Sequence, residues 1–140
     1  VNYLLDTCVL SEFARREPNP LVIQWVAQAD ERSLYLSVLS IGEIQRGVER
    51  LAESQRKREL RQWLGQALMP RFADRLLPLN AEIMLVWGTL TARLEGQGRK
   101  MSAFDSLIAA TALFHHLILV TRNEADFVNS GLSVVNPWNI

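Results

Sequence analysis

The chain has 140 residues, 49% of them hydrophobic, with 15 basic side chains balancing 15 acidic ones. That length predicts one domain, 1–140, able to bury roughly 68–70% of the surface its unfolded chain exposes, and zero net charge excludes a bulk basic footprint for nucleic acid. Cys8 is the only cysteine, which rules out an internal disulfide and a zinc cage built on thiolates.

Cytoplasmic residence is the simplest expectation. No run approaches the ~20 apolar residues of a membrane helix, so no membrane span is expected. The opening residues meet Asp6 without a basic stretch before them, and no signal peptide is expected there.

Tyr3-Leu4-Leu5 reads as a first buried strand ending at Asp6, and Thr7 is placed to cap a short helix reaching Glu12 to Arg15. Pro18 and Pro20 break that helix, and Leu21, Val22, Trp25 and Val26 then form a helical apolar face. Leu34-Tyr35-Leu36 is a second strand. From Val38 the pattern turns helical, with Leu39, Ile41, Ile44, Val48 and Leu51 apolar. The stretch Ala52 to Arg75 is charged and amphipathic, and its basic run Arg56-Lys57-Arg58 with Arg61 reads as a solvated face.

Leu76-Leu77-Pro78-Leu79 predicts a third strand at an edge or end, because proline cannot donate to a central ladder. Asn80 caps a helix through Ile83, Val86, Trp87, Leu90 and Leu94, stopped by Gly96 and Gly98. Ser102 to His115 predicts another helix, and Leu117 to Val120 is the clearest buried strand. Thr121-Arg122-Asn123 opens a short helix ending near Gly131, and Leu132 to Val135 is a last strand before Asn136-Pro137-Trp138. Strands alternating with helices predict an α/β domain whose parallel sheet is covered on both faces.

Asp6, Glu43, Asp105 and Asp126 each stand where a strand-like run gives way to a helix, or in that helix's first turns. A parallel sheet gathers such positions, because ligand sites lie at the carboxyl ends of its strands. Two carboxylates about 4 Å apart repel by ~4 kcal/mol at an effective dielectric near 20. Several such pairs need a divalent ion or protonation, and carboxylate oxygens suit Mg²⁺ or Mn²⁺. Each acid alone is equally well explained as a helix cap or dipole partner. The set is not, because Glu43 and Asp105 lie among apolar helix residues.

The segments Leu4-Leu5-Asp6-Thr7, Ser40-Ile41-Gly42-Glu43-Ile44, Phe104-Asp105-Ser106-Leu107-Ile108-Ala109-Ala110-Thr111-Ala112 and Val120-Thr121-Arg122-Asn123-Glu124-Ala125-Asp126-Phe127 resemble PIN domains. More narrowly they are similar to toxin ribonucleases of the VapC and FitB type, and the closing Asn136-Pro137-Trp138 is similar to a common ending in that group. The resemblance covers essentially the whole chain. It implies a single PIN-like α/β domain with a parallel sheet of about five strands flanked by helices, and a Mg²⁺- or Mn²⁺-dependent endoribonuclease, commonly a homodimer. It also implies a cognate antitoxin that plugs the acidic cleft and links the complex to operator DNA.

By position Asp6, Glu43 and Asp105 match the core acids. The fourth acid falls at Asn123 in some relatives and at Asp126 in others, and Asp126 is favoured here. Thr7, Thr121 and Asn123 are then polar groups that orient water or metal. Many relatives carry asparagine where this chain has Cys8, which reads as a small buried hydrophobe.

Arg99, Lys100 and Arg122 are candidate contacts to RNA phosphates, which position a substrate without reading its sequence; solvated surface charge is the plainer account of each. His115 and His116 fall at the far end of the Asp105 helix, about 15 Å away at 1.5 Å per residue, and suit a helix terminus better than general-base work. A binding module that chiefly forms a DNA-binding autorepressor complex with its antitoxin is the alternative function, and the neutral charge favours it. A small-molecule phosphatase is disfavoured, because Asp6-Thr7-Cys8 has no second acid two residues on.

Overall fold

In the computed structural model, which describes residues 1–140, strands and helices follow one another in the order β1 (Tyr3–Leu5), α1 (Thr7–Glu12), α2 (Pro20–Gln28), β2 (Leu34–Ser37), α3 (Val38–Glu49), α4 (Gln55–Gln62), α5 (Met69–Arg71), β3 (Leu76–Leu77), α6 (Ala81–Gly96), α7 (Ala103–Phe114), β4 (Ile118–Val120), α8 (Glu124–Phe127) and β5 (Val134–Val135). The strands form one five-stranded sheet in the order β3-β2-β1-β4-β5, with every pairing parallel. The chain thus grows from β1 to one side through β2 and β3, then returns to the other side of β1 through β4 and β5. The strand order reverses between β1 and β4. A crevice at the carboxyl ends of those two strands is where an open α/β sheet binds ligands.

Alternation along the short strands divides the core in two. Leu5, Leu34, Leu36 and Val120 join Val9, Val22, Val26, Ile44 and Phe72 on one face, under α1 to α5. Leu4 and Leu119 face the other way and pack with Leu90, Leu94, Ile108, Ala109 and Ala112 of α6 and α7. β3 lies at an edge, as expected, and Pro78 follows directly after its last residue rather than entering the ladder.

Polar residues start the helices. Ser37 Oγ accepts from Leu39 N–H at 3.1 Å, Asn80 Oδ1 from Ile83 N–H at 2.8 Å, and Ser102 Oγ from Asp105 N–H at 3.1 Å. Asp6, not Thr7, caps α1, and that helix stops at Glu12 with Phe13 as its C-cap. The carboxylate accepts its first amide directly, which leaves Thr7 free to bond elsewhere. Gly98, just past α6, has φ +69°, the left-handed conformation that ends helices at little cost to glycine.

The amphipathic stretch from Ala52 is not one helix. α4 gives way to a π-helical turn at Trp63–Leu68 and then to α5, where Pro70 lacks the amide needed to continue an α ladder. Lys57 is likewise no solvated charge. It is 5% exposed, and its ammonium donates to the carbonyls of Glu49 and Leu51 at 3.2 and 3.0 Å and pairs with Glu53 at 3.0 Å. Amphipathic spacing marks the side a residue faces, not the carbonyls that a long side chain reaches. No helix is long and apolar enough to cross a membrane.

Candidate active site

The register Leu5↔Val120 between β1 and β4 sets Asp6 beside Thr121 at the switch point. Asp6 N–H donates to Val120 O at 3.0 Å. Its carboxylate accepts from Thr7 N–H at Oδ1, 2.8 Å, and from the Thr121 hydroxyl at Oδ2, 2.9 Å. The Thr121 hydroxyl also accepts from Asn123 N–H at 3.1 Å and lies 3.6 Å from Cys8 Sγ. A hydroxyl has one hydrogen and two lone pairs, so with its hydrogen on Asp6 the Cys8 thiol is the donor of that last contact.

Asp6 is only 6% exposed. Burial pushes its carboxyl above the ordinary aspartate value, the bonds from Thr121 and Thr7 pull it back, and the charges of Asp105 and Glu43 push it up again. Asp105, in the first turn of α7 and half-buried, is raised mainly by burial. A hydrogen bond from the Ser102 side chain to the carboxyl lowers it, and the charges of Asp126 and Glu43 raise it. Asp105 therefore lies within electrostatic reach of Asp6, Glu43 and Asp126. Four elements distant in sequence bring these carboxylates together.

The four differ in exposure. Glu43 on α3 and Asp126 in the first turn of α8 are open to solvent, although apolar neighbours in sequence suggested more burial for Glu43. The Thr7 hydroxyl donates to Ser40 Oγ at 3.0 Å rather than to a carboxylate and so ties α1 to α3 one turn before Glu43. Asn123 N-caps α8 without a side-chain cap bond. Cys8 is half-buried rather than a plain core residue. Its sulfur accepts from Arg122 N–H at 3.4 Å, and burial followed by the Asp6 charge raises its thiol.

Among the basic candidates, Arg122 has its guanidinium 5.5 Å from the Trp138 ring centroid. Arg99 donates to Asn129 Oδ1 at 3.0 Å, and Lys100 is exposed. His115 ends α7 as its C-cap, away from the acids. Asn136, singled out in the sequence only as part of the closing Asn136-Pro137-Trp138 resemblance and given no role there, bonds through its amide to the Arg122–Glu124 turn; the turn-forming Asn-Pro pair signalled the bend but not this contact.

This architecture is shared with known proteins. The description of the PIN domain matches residues 3–129. The chain belongs to the PIN-domain family. It is 34% identical to Toxin FitB of Neisseria gonorrhoeae (strain ATCC 700825 / FA 1090) over 97% of this chain and 98% of that protein. It is 30% identical to VapC ribonuclease Y4jK of Sinorhizobium fredii (strain NBRC 101917 / NGR234) over 96% of each. A solved structure of FitAB bound to an IR36 DNA fragment superposes with a TM-score of 0.93 at 32% identity, over 99% of this chain and 96% of that one.

The donor set of this PIN domain suits a hard divalent ion. Its acids offer oxygen, and Cys8 next to them is held towards the neutral thiol. No three Asp, Glu, His or Cys side chains form a ready-made cage. Mg²⁺ does not require one, since it keeps several waters and commonly uses one or two carboxylates. Asp6, already fixed by two donors, and Asp105 fit that role. Glu43 and Asp126 add two further carboxylates, open to solvent, to the same oxygen donor set.

Proposed function

We propose that this PIN domain is the toxin of a type II toxin–antitoxin pair, an endoribonuclease that cleaves RNA phosphodiester bonds with Mg²⁺ or Mn²⁺ held by Asp6, Glu43, Asp105 and Asp126. The observation that carries the reading is the convergence of four carboxylates at the switch point, with Asp6 and Asp105 raised by burial and by neighbouring acids. Residues with such shifts in a crevice are active-site candidates on physical grounds. The relatives support the same direction, one being named a toxin and one a ribonuclease.

A bound divalent ion supplies positive charge that polarises a phosphoryl oxygen and lowers the pKa of water. The chain's own residues do the rest. Thr7 N–H and the Thr121 hydroxyl lock the Asp6 carboxylate in one orientation, as partners of a metal ligand do. Arg122, Arg99 and Lys100 hold flanking phosphates. A cognate antitoxin covers the acidic crevice and joins the complex to operator DNA, in keeping with the DNA-bound FitAB structure.

The test is direct. Purified, antitoxin-free protein is expected to cut RNA only when Mg²⁺ or Mn²⁺ is present, with Asp6→Asn and Asp105→Asn abolishing cutting while circular dichroism stays unchanged. Full activity in both variants would remove the acids from the mechanism. Zero net charge favours the second reading, a non-catalytic module that forms an autorepressor complex with the antitoxin. Failure of verified antitoxin-free wild type to cut any RNA would overturn the catalytic reading in favour of that one.

A further inference from the structure

The turn from Thr121 to Asn123 joins β4 to α8 and carries three groups of the proposed site: Thr121, Asn123 and, one turn on, Asp126. It is gripped from two sides. On the α1 side, Arg122 N–H donates to Cys8 Sγ and the Thr121 hydroxyl to Asp6. On the other side, Thr121 N–H donates to Val135 O at 3.0 Å, and the next residue in β5's path is Asn136. Its Nδ2 donates to Glu124 Oε2 at 2.9 Å and to Arg122 O at 3.4 Å, while its Oδ1 accepts from Trp138 N–H at 2.9 Å. Trp138 packs against the first core and lies under the Arg122 guanidinium.

We propose that Asn136 is a positioning residue of the acid site, its side-chain amide holding the Arg122–Glu124 turn so that Thr121, Asn123 and Asp126 stay registered on Asp6. The inference rests on the metal-dependent reading above. The two ends of the amide do different work. Oδ1 caps the closing turn Pro137–Asn139, a local task that any terminus needs. Nδ2 reaches back 12 residues to an exposed carboxylate and a carbonyl of the site turn, and closing the terminus does not require that. Because Trp138 anchors the segment in the core, Asn136 ties the turn to the rigid part of the molecule.

This division makes the idea testable without losing the fold. Asn136→Asp keeps the cap acceptor, since Asp and Asn are comparable caps, and it turns the donor into an oxygen facing Glu124 and the Arg122 carbonyl. Calorimetric titration of Mn²⁺ into the full chain is expected to show affinity weakened by up to about tenfold, the lower end of what losing a direct partner of a metal ligand costs, because Asn136 acts on the ligands through the turn. Thermal unfolding of the ion-free variant is expected to stay near wild type. Glu124, being exposed, supplies an independent pair of variants. Glu124→Ala, which removes the acceptor, is expected to lose Mn²⁺ affinity. Glu124→Gln, which removes the charge but keeps an acceptor, is expected to bind as wild type does. Wild-type affinity in Asn136→Asp or in Glu124→Ala overturns the inference, and so does equal loss in Glu124→Ala and Glu124→Gln. Wild type that binds no Mn²⁺ overturns the metal reading itself.

Discussion

At the scale of single residues, Asp6 shows how a site is held against its own stability. Its carboxyl is raised by burial first and by Asp105 and Glu43 besides. A folded state that holds a proton to higher pH than the unfolded chain binds more protons in that window, so stability falls as pH rises through it. Without a divalent ion, wild type is therefore expected to lose stability from the ordinary aspartate range up through the raised value. Asp6→Asn keeps the α1 cap and removes that ionisation. Its melting temperature is expected to exceed wild type at neutral pH and to converge with it in acid. Added Mg²⁺ is expected to reverse the order, because an ion that binds only the folded wild type stabilises it by mass action. A variant less stable than ion-free wild type at pH 7 would contradict this. Asp6 was legible in sequence because it ends an apolar run before a helix. The bonding of Cys8 was not, since its sulfur meets Arg122 only through the register of β1 on β4, which no local pattern displays.

Whole elements were legible where side-chain spacing and caps agree. The helices begun by Asn80 and Ser102 have their expected starts, and α6 ends at Gly96 as read. The stretch from Ala52 to Arg75 was not, because helical spacing persists across the π turn while the backbone bonding changes. Lys57 shows the physical reason that its basic run was misread. A lysine stem lies along apolar surface while its ammonium seeks oxygen, and here the oxygens are the carbonyl of Glu49, which ends α3, and that of Leu51 just beyond it. Arg75 does similar work unseen, donating to the Leu34 carbonyl at 2.8 Å and stacking 4.7 Å over Phe72. Lys57→Ala leaves the Glu49 and Leu51 carbonyls without this donor, which costs about 1–3 kcal/mol in urea unfolding on the usual scale for an orphaned group. Arg58→Ala, at the exposed position next to it, is expected to stay within about 0.5 kcal/mol. Equal effects would mean that the run is the solvated face its composition suggests.

At the scale of the molecule, alternation of strands and helices was enough to read a parallel sheet, and the reversal of strand order at β1 and β4 explains why scattered acids meet. The crossing order itself was not written in any one segment; short strands of two to four residues carry too little pattern to choose their neighbours. Charge is a property of the same scale. With 15 basic and 15 acidic side chains, the molecule has no net charge to draw RNA from a distance, so capture must depend on a few local contacts. If Arg99, Lys100 and Arg122 are those contacts, single-strand binding releases about 0.7 counterion per phosphate and the log–log salt slope of kcat/KM is about −2. Initial rates at constant Mg²⁺ between about 50 and 200 mM KCl measure it. Arg122→Ala is expected to flatten the slope by about 0.7. An unchanged slope in that variant would place the RNA path elsewhere, with exposed Arg46 on α3 and Arg50 at its C-cap the next cations to test.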